Sequence, residues 1–378
     1  MKVLNKIISL FTLIILNLSV FSQVNEENAK AIFQNAYKKY EEKDYKKSYL
    51  EYSNYLFIKP KDAVAYYNRG LCAYEMKDYK DGITNYNTSL TLGRKRADVY
   101  YSRGTCNFQL QNYKIAILDF DTAMMYQPNY VEAMVDKGAC LNELKMYSQA
   151  LELFNEAIHL NPAHYDFYLK RAISKYFLLD FEGSLKDCNT SLSISKNNQT
   201  YFQRGLNYIS LQQYKSAIHD FDTVIINDSK NARAYNKRAL AFLDHEKYEM
   251  ALIDNNKAIE LDASSPEAYF NRALTKYALK KYKDAEPDFN AAIDLKLNES
   301  ENYLGRGINY YFEKKYTLAL ADLNRAILLN PKISSAFYYR GKIKSHSNDI
   351  NGACIDFIQA KNLGATYATE ELLKNRCK

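Results

Sequence analysis

Tryptophan is absent from this chain of 378 residues, and glycine and proline are scarce, with 12 and six residues. Such scarcity excludes a collagen-like chain and a low-complexity disordered one. Hydrophobic residues make up 47% of the sequence and charged residues 25%, as in folded globular proteins. Tyrosine, with 35 occurrences, is the dominant aromatic residue.

A strong charge of either sign is also missing. The formal net charge is +7, and it falls by two when Lys2 and Lys6 are left out. The basic residues are spread evenly along the chain, whereas nucleic-acid binding needs a concentrated basic patch. We therefore expect no nucleic-acid partner.

Motifs that carry catalysis or bind metal ions are not found in the sequence. It contains no phosphate-binding glycine loop, no nucleophile elbow and no zinc-protease helix motif. Its histidines are scattered and lack the spacing of metal ligands. They are His159, His164, His219, His245 and His346. We therefore predict a protein that is not an enzyme and needs no cofactor and no metal.

Long hydrophobic runs are missing after residue 22. Before it, Lys2 and Lys6 precede an apolar stretch over residues 7–20, and Val20-Phe21-Ser22 resembles a cleavage site. The stretch is shorter than the ~20 residues that span a bilayer, so residues 1–22 are predicted to be a removed signal peptide. An uncleaved N-terminal membrane anchor is the alternative. With no lipid-anchor cysteine nearby, we expect a periplasmic or secreted protein without a stable membrane span after cleavage.

The six cysteines do not have the spacing of a disulfide framework. Cys72, Cys106 and Cys140 are each 34 residues apart and so recur at one position of a repeat. Equivalent positions of stacked helical repeats are on the order of 10 Å apart, beyond the reach of a disulfide. We expect these three to be small buried residues and expect no structural disulfide framework. The others are Cys188 and Cys354, on second helices of the repeat, and Cys377 in the tail.

Small residues recur through the chain in three ladders with a period of 34 residues. The first is glycine or alanine throughout, with a single step of 33 residues between Ala172 and Gly205. The second lies 12 residues further on and the third another seven, and both are mostly alanine or serine. Small side chains let helix axes approach closely, and apolar residues between the ladders recur at helical spacing. The first ladder is Ala36, Gly70, Gly104, Gly138, Ala172, Gly205, Ala239, Ala273, Gly307 and Gly341.

An aromatic residue marks the start of the second helix of nearly every period, for example Tyr79 and Tyr113, and Ile350 is the exception. The prolines fit the same phase, because four fall where a second helix ends and Pro266 falls where a first helix begins. Pro287 is the anomaly, since it falls inside a second helix and is predicted to kink it. Each period is therefore a helix-turn-helix pair.

This pattern resembles the tetratricopeptide repeat. Besides the ladders, the resemblance rests on the blocks YNRG ending at Gly70, KDYKDG at Lys77–Gly82 and AIHLNP at Ala157–Pro162. It implies an all-α fold, a right-handed superhelical solenoid of helix-turn-helix repeats. One departure is that tyrosine or another apolar residue replaces the tryptophan often found near the start of the first helix.

The resemblance covers ten tandem repeats over residues 29–364. Residues 1–22 are then the predicted signal peptide, residues 23–28 a short leader, and residues 365–378 a capping helix that shields the exposed end of the solenoid. The repeats fill nearly the whole mature chain and leave no room for a catalytic domain, which adds to the prediction of a non-catalytic protein.

A basic residue precedes the first small ladder in nine of the ten repeats, and Asn35 is the exception. An acid follows sixteen residues later in most repeats, as Asp254 follows Arg238. One interpretation is a basic stripe that grips an acidic or phosphorylated ligand. We favour a ladder of ion pairs between helices, because a partner at constant spacing is what a paired charge needs. Pairing within a repeat and pairing with the preceding repeat are both open.

The resemblance also places ligands along the first helices, which line the inner, concave face of tetratricopeptide proteins. Tyrosine and phenylalanine there offer a large contact area at small entropic cost, which suits peptide recognition. Packing of these rings between neighbouring helices is the alternative. The predicted groove residues are Phe33, Tyr37, Tyr40, Tyr67, Leu71, Tyr74, Tyr101 and Phe108. Later repeats contribute Phe202, Phe270, Tyr277, Leu304, Tyr311 and Tyr338.

These observations predict an interaction scaffold that binds a protein or peptide partner in the aromatic groove, in envelope assembly or secretion. The alternative is a structural or assembly subunit that uses its outer surface or its end repeats. A third alternative is an enzyme regulator or a carbohydrate-handling accessory.

Overall fold

The computed structural model describes residues 26–296 and 299–377, and these ranges contain helices and turns without a β-strand. The predicted signal peptide and the first residues of the leader lie outside them. No helix within these ranges is long and apolar enough to cross a membrane. The chain divides into two compact units, an N-terminal unit, Met1–Asp180, and a C-terminal unit, Phe181–Lys378.

The N-terminal unit contains nine helices in its described part. In chain order they are α1 (26–41), α2 (Tyr45–Ile58), α3 (Ala63–Glu75), α4 (Tyr79–Thr91), α5 (Ala97–Gln109), α6 (Tyr113–Tyr126), α7 (Val131–Glu143), α8 (Tyr147–Leu160) and α9 (Tyr165–Phe177). Consecutive helices from α2 to α9 pack against each other, and the hydroxyl of Ser48 of α2 donates to the carbonyl of Ala36 of α1 at 2.7 Å.

The C-terminal unit contains twelve helices in its described part. They are α10 (Phe181–Ile194), α11 (Asn198–Ser210), α12 (Tyr214–Asn227), α13 (Ala232–Asp244), α14 (Tyr248–Leu261), α15 (Pro266–Ala278), α16 (Tyr282–Leu295), α17 (Ser300–Phe312), α18 (Tyr316–Leu329), α19 (Ser334–His346), α20 (Ile350–Asn362) and α21 (Ala368–Lys374). The prediction of an all-helical solenoid of tandem helix pairs is confirmed.

The small residues of the first ladder lie where a first helix meets its second helix. Gly104 of α5 faces the fully buried ring of Phe120 of α6, and a Cβ atom on Gly104 would lie 2.7 Å from Phe120 Cε1. Gly205 of α11 and Phe221 of α12 repeat this arrangement, also with 2.7 Å. Close packing of the helices of a pair therefore requires the small residue, as the sequence predicts.

The turn inside each helix pair contains a residue in the left-handed conformation. Lys77 (φ 64°) follows α3, and Lys145 (φ 61°) follows α7. The N–H of Asp78 donates to the carbonyl of Ala73 at 2.9 Å and closes the end of α3. The second helix then begins at the predicted aromatic residue, as α4 does at Tyr79.

Pro287 lies inside α16, and the helix continues past it to Leu295 as one element. Its fully buried neighbours on this helix are Ala285, Phe289 and Ala292. The proline therefore does not end the helix.

The expectation of no structural disulfide framework is wrong at the C-terminus, where Cys354 of α20 is bonded to Cys377 with a Cα–Cα distance of 5.4 Å. The argument from repeat spacing applies to Cys72, Cys106 and Cys140, which are free and buried as predicted. It does not apply to the tail, because α21 folds back onto the last helix pair and brings its end beside α20.

Candidate functional site

The arginines that precede the small ladder each join three helices. Arg204 of α11 donates from Nε and Nη2 to the two carboxylate oxygens of Asp220 of α12, at 2.8 and 2.7 Å. Its Nη1 donates to Asn189 of α10 at 2.9 Å. The hydrogen bond to Asp220 raises the pKa of Arg204, against the effect of burial. The guanidinium therefore pairs both within its repeat and with the preceding helix.

The same two-sided arrangement recurs in both units. Arg103, Arg238, Arg272, Arg306 and Arg340 each hold the aspartate sixteen residues later and an Asn or Asp sixteen residues earlier. The paired aspartates of the ladder are at most 9% exposed. This geometry supports the ion-pair ladder, because the guanidinium groups of these described arginines are occupied by partners on both sides.

The sequence does not readily reveal the residue of the preceding helix that accepts a hydrogen bond from each ladder arginine or lysine. It is an Asn or Asp two residues after the ladder position, which is an aspartate in most repeats, Asn85 in one and Leu153 in another. The partners are Asn87, Asp121, Asn155, Asp222, Asn256, Asn290 and Asn324. Their spacing of sixteen residues before the next basic residue is a readable signal. The signal is weak because asparagine is common throughout the chain.

The predicted groove residues of α1 are two anchored rings and one exposed ring. Phe33 lies 5.4 Å from Tyr52 and 5.1 Å from Tyr55 between ring centroids, in edge-to-face contact. Tyr40 lies 5.4 Å from Tyr45. Tyr37 is 52% exposed.

The groove residues of α3 pack against the buried ring of Tyr86. The centroid of Tyr67 lies 5.8 Å from that of Tyr86, and the guanidinium of Arg94 stacks 4.6 Å from the Tyr67 centroid. Leu71 and Tyr74 pack against the same cluster. These side chains are half-buried, so they present edges to the surface instead of whole faces.

The groove residues of α5 contact α7 and the turn before it. The hydroxyl of Tyr101 donates to Asp136 of α7 at 2.9 Å, and its ring centroid lies 4.9 Å from that of Tyr130. Burial raises the pKa of Asp136, and the hydrogen bond from Tyr101 opposes that rise. Phe108 lies 5.6 Å from Tyr113. Asp136 and Tyr130 contact the predicted groove residue Tyr101 but are not among the predicted residues, because neither falls on the aromatic positions carried over from the family.

A second set of rings lies in the C-terminal unit. Phe312 of α17 stacks on Tyr282 at 5.5 Å and contacts Tyr277 at 5.6 Å. Tyr311 contacts Tyr339 of α19 at 5.3 Å. Tyr277 and Tyr311 were predicted as inner-face residues, whereas Phe312 and Tyr339 were not. Phe312 directly follows Tyr311, and Tyr339 directly follows Tyr338. Such a pair of adjacent aromatic residues is the sequence feature that could have identified them.

The described residues contain no group of three or more His, Cys, Asp or Glu side chains that could hold a metal ion. The ladder carboxylates are already occupied by arginines, as in Arg306 and Asp322. Within each unit, the described residues therefore form stabilising ion pairs and clusters of half-buried rings.

Comparison with known proteins finds similarity to tetratricopeptide repeat proteins. Two family models described as tetratricopeptide repeat match residues 202–266 and 266–299. A tetratricopeptide repeat protein from Parabacteroides merdae aligns with a TM-score of 0.54 and 23% identity, over 66% of this chain and 99% of that chain. No curated protein sequence matches the chain.

Two further solved structures share the fold at lower identity. One is from the Cut9–Hcn1 hetero-tetramer of APC/C, with a TM-score of 0.54 and 10% identity over 92% of this chain and 90% of that chain. The other is a monomeric mutant of IFIT1 with Gppp-AAAA, with a TM-score of 0.59 and 13% identity over 92% of this chain and 89% of that chain.

The fold and its ladder define a protein of tandem helix pairs. The tandem helix pairs of the described residues and the family-model matches within residues 202–299 fit a tetratricopeptide repeat protein, as the sequence resemblance implies. This fold generally mediates protein–protein interaction, and members of the family are generally non-catalytic scaffolds.

Proposed function

We propose that this protein is a non-catalytic scaffold that binds a protein or peptide partner along the first helices of its N-terminal unit. The observation that carries the proposal is Tyr37, which is 52% exposed between two rings, Phe33 and Tyr40, that are anchored in the core. An exposed ring on a rigid base is the kind of group that dominates binding energy at protein interfaces. Its two flanking rings add apolar edges to the same surface.

We propose further that the protein acts outside the cytoplasm, in the periplasm or as a secreted protein. The predicted signal peptide is the first support. The bond between Cys354 and Cys377 is the second, because disulfides persist mainly in oxidising compartments. Processing is tested by N-terminal sequencing of the protein recovered from cell fractions. A chain that retains residues 1–22 and sediments with membranes would favour the N-terminal anchor.

The binding face is tested with two exposed tyrosines of the same unit. Tyr37→Ala removes the ring on the first helix α1, and Tyr126→Ala removes a ring that is 51% exposed on the second helix α6. Both variants should keep the helical content of the wild type. We expect Tyr37→Ala to weaken partner capture from envelope extract and Tyr126→Ala to leave it unchanged. The reverse result would contradict binding on the first helices.

One observation favours the alternative, assembly through the outer surface. Ile115, Leu118 and Met125 lie along one side of α6 and are 52%, 66% and 82% exposed. Exposed apolar residues in a row mark interaction surfaces. Leu118→Glu with Met125→Glu should abolish assembly into a larger complex if α6 is the contact, and should leave capture through Tyr37 intact.

A further inference from the structure

Three carboxylates stand at the ends of first helices in the N-terminal unit. Glu41, Glu75 and Glu143 are the last residues of α1, α3 and α7, and all three are exposed. They occupy the same position of the repeat, since their separations are multiples of 34 residues. The C-terminus of a helix carries partial negative charge, so an acid is electrostatically unfavourable there. Their recurrence therefore needs a reason other than helix stability.

Three acids on this side of the unit form no direct ion pair among the described residues, although the charge of Lys170 opposes the rise that burial causes in the pKa of Asp136. No lysine or arginine nitrogen among them lies within 4.0 Å of Glu75, Glu132 or Asp136. The nearby cations are already used, because Arg94 pairs with Asp98 at 2.8 Å and Lys170 pairs with Asp166 at 3.2 Å. The inner side of this unit is thus locally acidic, although the whole chain has a net charge of +7.

The unpaired carboxylates lie among the predicted groove rings. Burial and then the charge of Glu75 raise the pKa of Tyr40 to about 12. Burial is also the main cause that raises the pKa of Tyr74, and the charge of Glu75 is a smaller one. Asp136 accepts from the Tyr101 hydroxyl at 2.9 Å. Burial and then Glu132 raise the pKa of Tyr130 to about 12. The rings Tyr37, Tyr40, Tyr74, Tyr101 and Tyr130 of the first helices and their turns, with the carboxylates Glu41, Glu75, Glu132 and Asp136, are here called the acidic aromatic face.

We propose that the acidic aromatic face binds an extended segment of another protein that carries lysine or arginine side chains. The inference rests on the proposed function and specifies its partner. A carboxylate beside an aromatic ring suits a cationic side chain, because the carboxylate pairs with the charge and the ring attracts it and covers its apolar stem. An acidic segment would meet uncompensated like charges and would be excluded.

The repeat spacing sets the spacing of the basic residues. Helix pairs stack on the order of 10 Å apart, and an extended chain advances about 3.3 Å per residue. A segment that runs along the stack from the level of Glu41 to that of Glu75 therefore advances about three residues. We expect basic residues at positions i and i+3, with apolar residues between them against the rings.

The experiment selects a random library of 12-residue peptides on the immobilised full protein and compares the bound pool with the input. We expect enrichment of lysine and arginine at i and i+3. The reversed variant Glu75→Lys with Glu132→Lys should lose this enrichment. The matched control, Glu152→Lys with Glu156→Lys on the exposed side of the second helix α8, should keep it. Enrichment that is absent, or unchanged in the reversed variant, overturns the inference.

A milder variant distinguishes loss of the carboxylate charge from loss of folding. Glu75→Gln with Glu132→Gln keeps size and hydrogen bonding, and we expect it to weaken a selected basic peptide about tenfold at low salt. The wild-type affinity should fall steeply as salt is raised. Selected peptides that depend on Tyr37 but contain no excess of basic residues would overturn the acidic aromatic face and leave the proposed function standing. Peptides that ignore Tyr37→Ala would overturn both.

Discussion

Arg238 of α13 holds Asp254 of α14 through two hydrogen bonds of 2.7 Å and donates a third, of 2.6 Å, to Asp222 of α12. One planar side chain therefore joins three consecutive helices, which a fixed fork of donors does well. Lys137 shows the contrast. The residue sixteen positions after it is Leu153, and the lysine reaches only Asp121 of the preceding helix, at 2.6 Å. An arginine and the aspartate sixteen residues after it thus form one step of the ladder.

Replacing this arginine should destabilise the fold. In Arg238→Ala the Asp254 side chain, which is 5% exposed, would be left as a buried charge without its partner. We expect the free energy of unfolding to fall by about 3 kcal/mol or more in urea titrations. Arg233→Ala, on the exposed side of the same helix, is the control and should cost within about 0.5 kcal/mol. Equal losses for the two variants would show that the ladder does not hold the helices together.

Asp136 gives a prediction that depends on pH. Burial raises its pKa above the usual 3.8, and the hydrogen bond from Tyr101 opposes the rise. The native state thus binds the proton more tightly than the unfolded state, so stability is lost as the pH rises through the raised pKa. Asp136→Asn still accepts from Tyr101 but carries no charge. We expect it to raise the thermal midpoint at pH 7 and to have little effect at about pH 3.

The control for this prediction is a carboxylate of the same unit that has a cationic partner. Asp98 pairs with Arg94 at 2.8 Å. Asp98→Asn therefore removes a favourable ion pair, whereas Asp136→Asn removes the cost of burying a charge. We expect it to lower the midpoint at pH 7. If Asp136→Asn also lowers the midpoint at that pH, the charge of Asp136 contributes to stability and the argument from burial is incorrect.

The helix pairs and the ladder could be predicted from the sequence because both are periodic. Small residues, turn aromatics and the Arg–Asp spacing repeat every 34 residues, and each repetition strengthens the same interpretation. Contacts that occur once have no such support. The Tyr101–Asp136 hydrogen bond and the Cys354–Cys377 bond join residues that share no repeated spacing, and they depend on where neighbouring helices stop.

The candidate site was only partly predictable for a second reason. The sequence identifies ring-bearing positions on first helices, but it does not show how far each ring is covered by the next helix. Tyr37 is 52% exposed, whereas Phe33, four residues earlier, packs against Tyr52 and Tyr55. Whether the predicted groove residues contact a partner therefore stays a prediction.

The left-handed turn residues give a stabilising prediction. Lys145 has φ 61° and is exposed between α7 and α8. A side chain with a Cβ atom costs roughly 1–2 kcal/mol in this conformation, and glycine does not have that cost. Glycine also gives the unfolded chain more conformational freedom, which offsets part of this gain. We therefore expect Lys145→Gly to raise the free energy of unfolding by about 1 kcal/mol. Lys145→Ala retains the Cβ atom and should change little, so a gain of equal size in both variants would point to loss of charge.

The disulfide should stabilise the end of the C-terminal unit. It links residues 23 apart and holds the segment that contains α21, which also contacts α19 through Lys342 and Glu371 at 2.7 Å and through the rings of Tyr338 and Tyr367 at 4.6 Å. Breaking a bond that closes a loop of this length costs about 3 kcal/mol. We expect Cys354→Ser, or reduction of the wild type, to raise the hydrogen exchange of α21 strongly while leaving α13 and α14 protected. Cys377→Ser should have the same effect, and reduction should add nothing in either variant. Unchanged protection of α21 after reduction would show that the noncovalent contacts alone hold it in place.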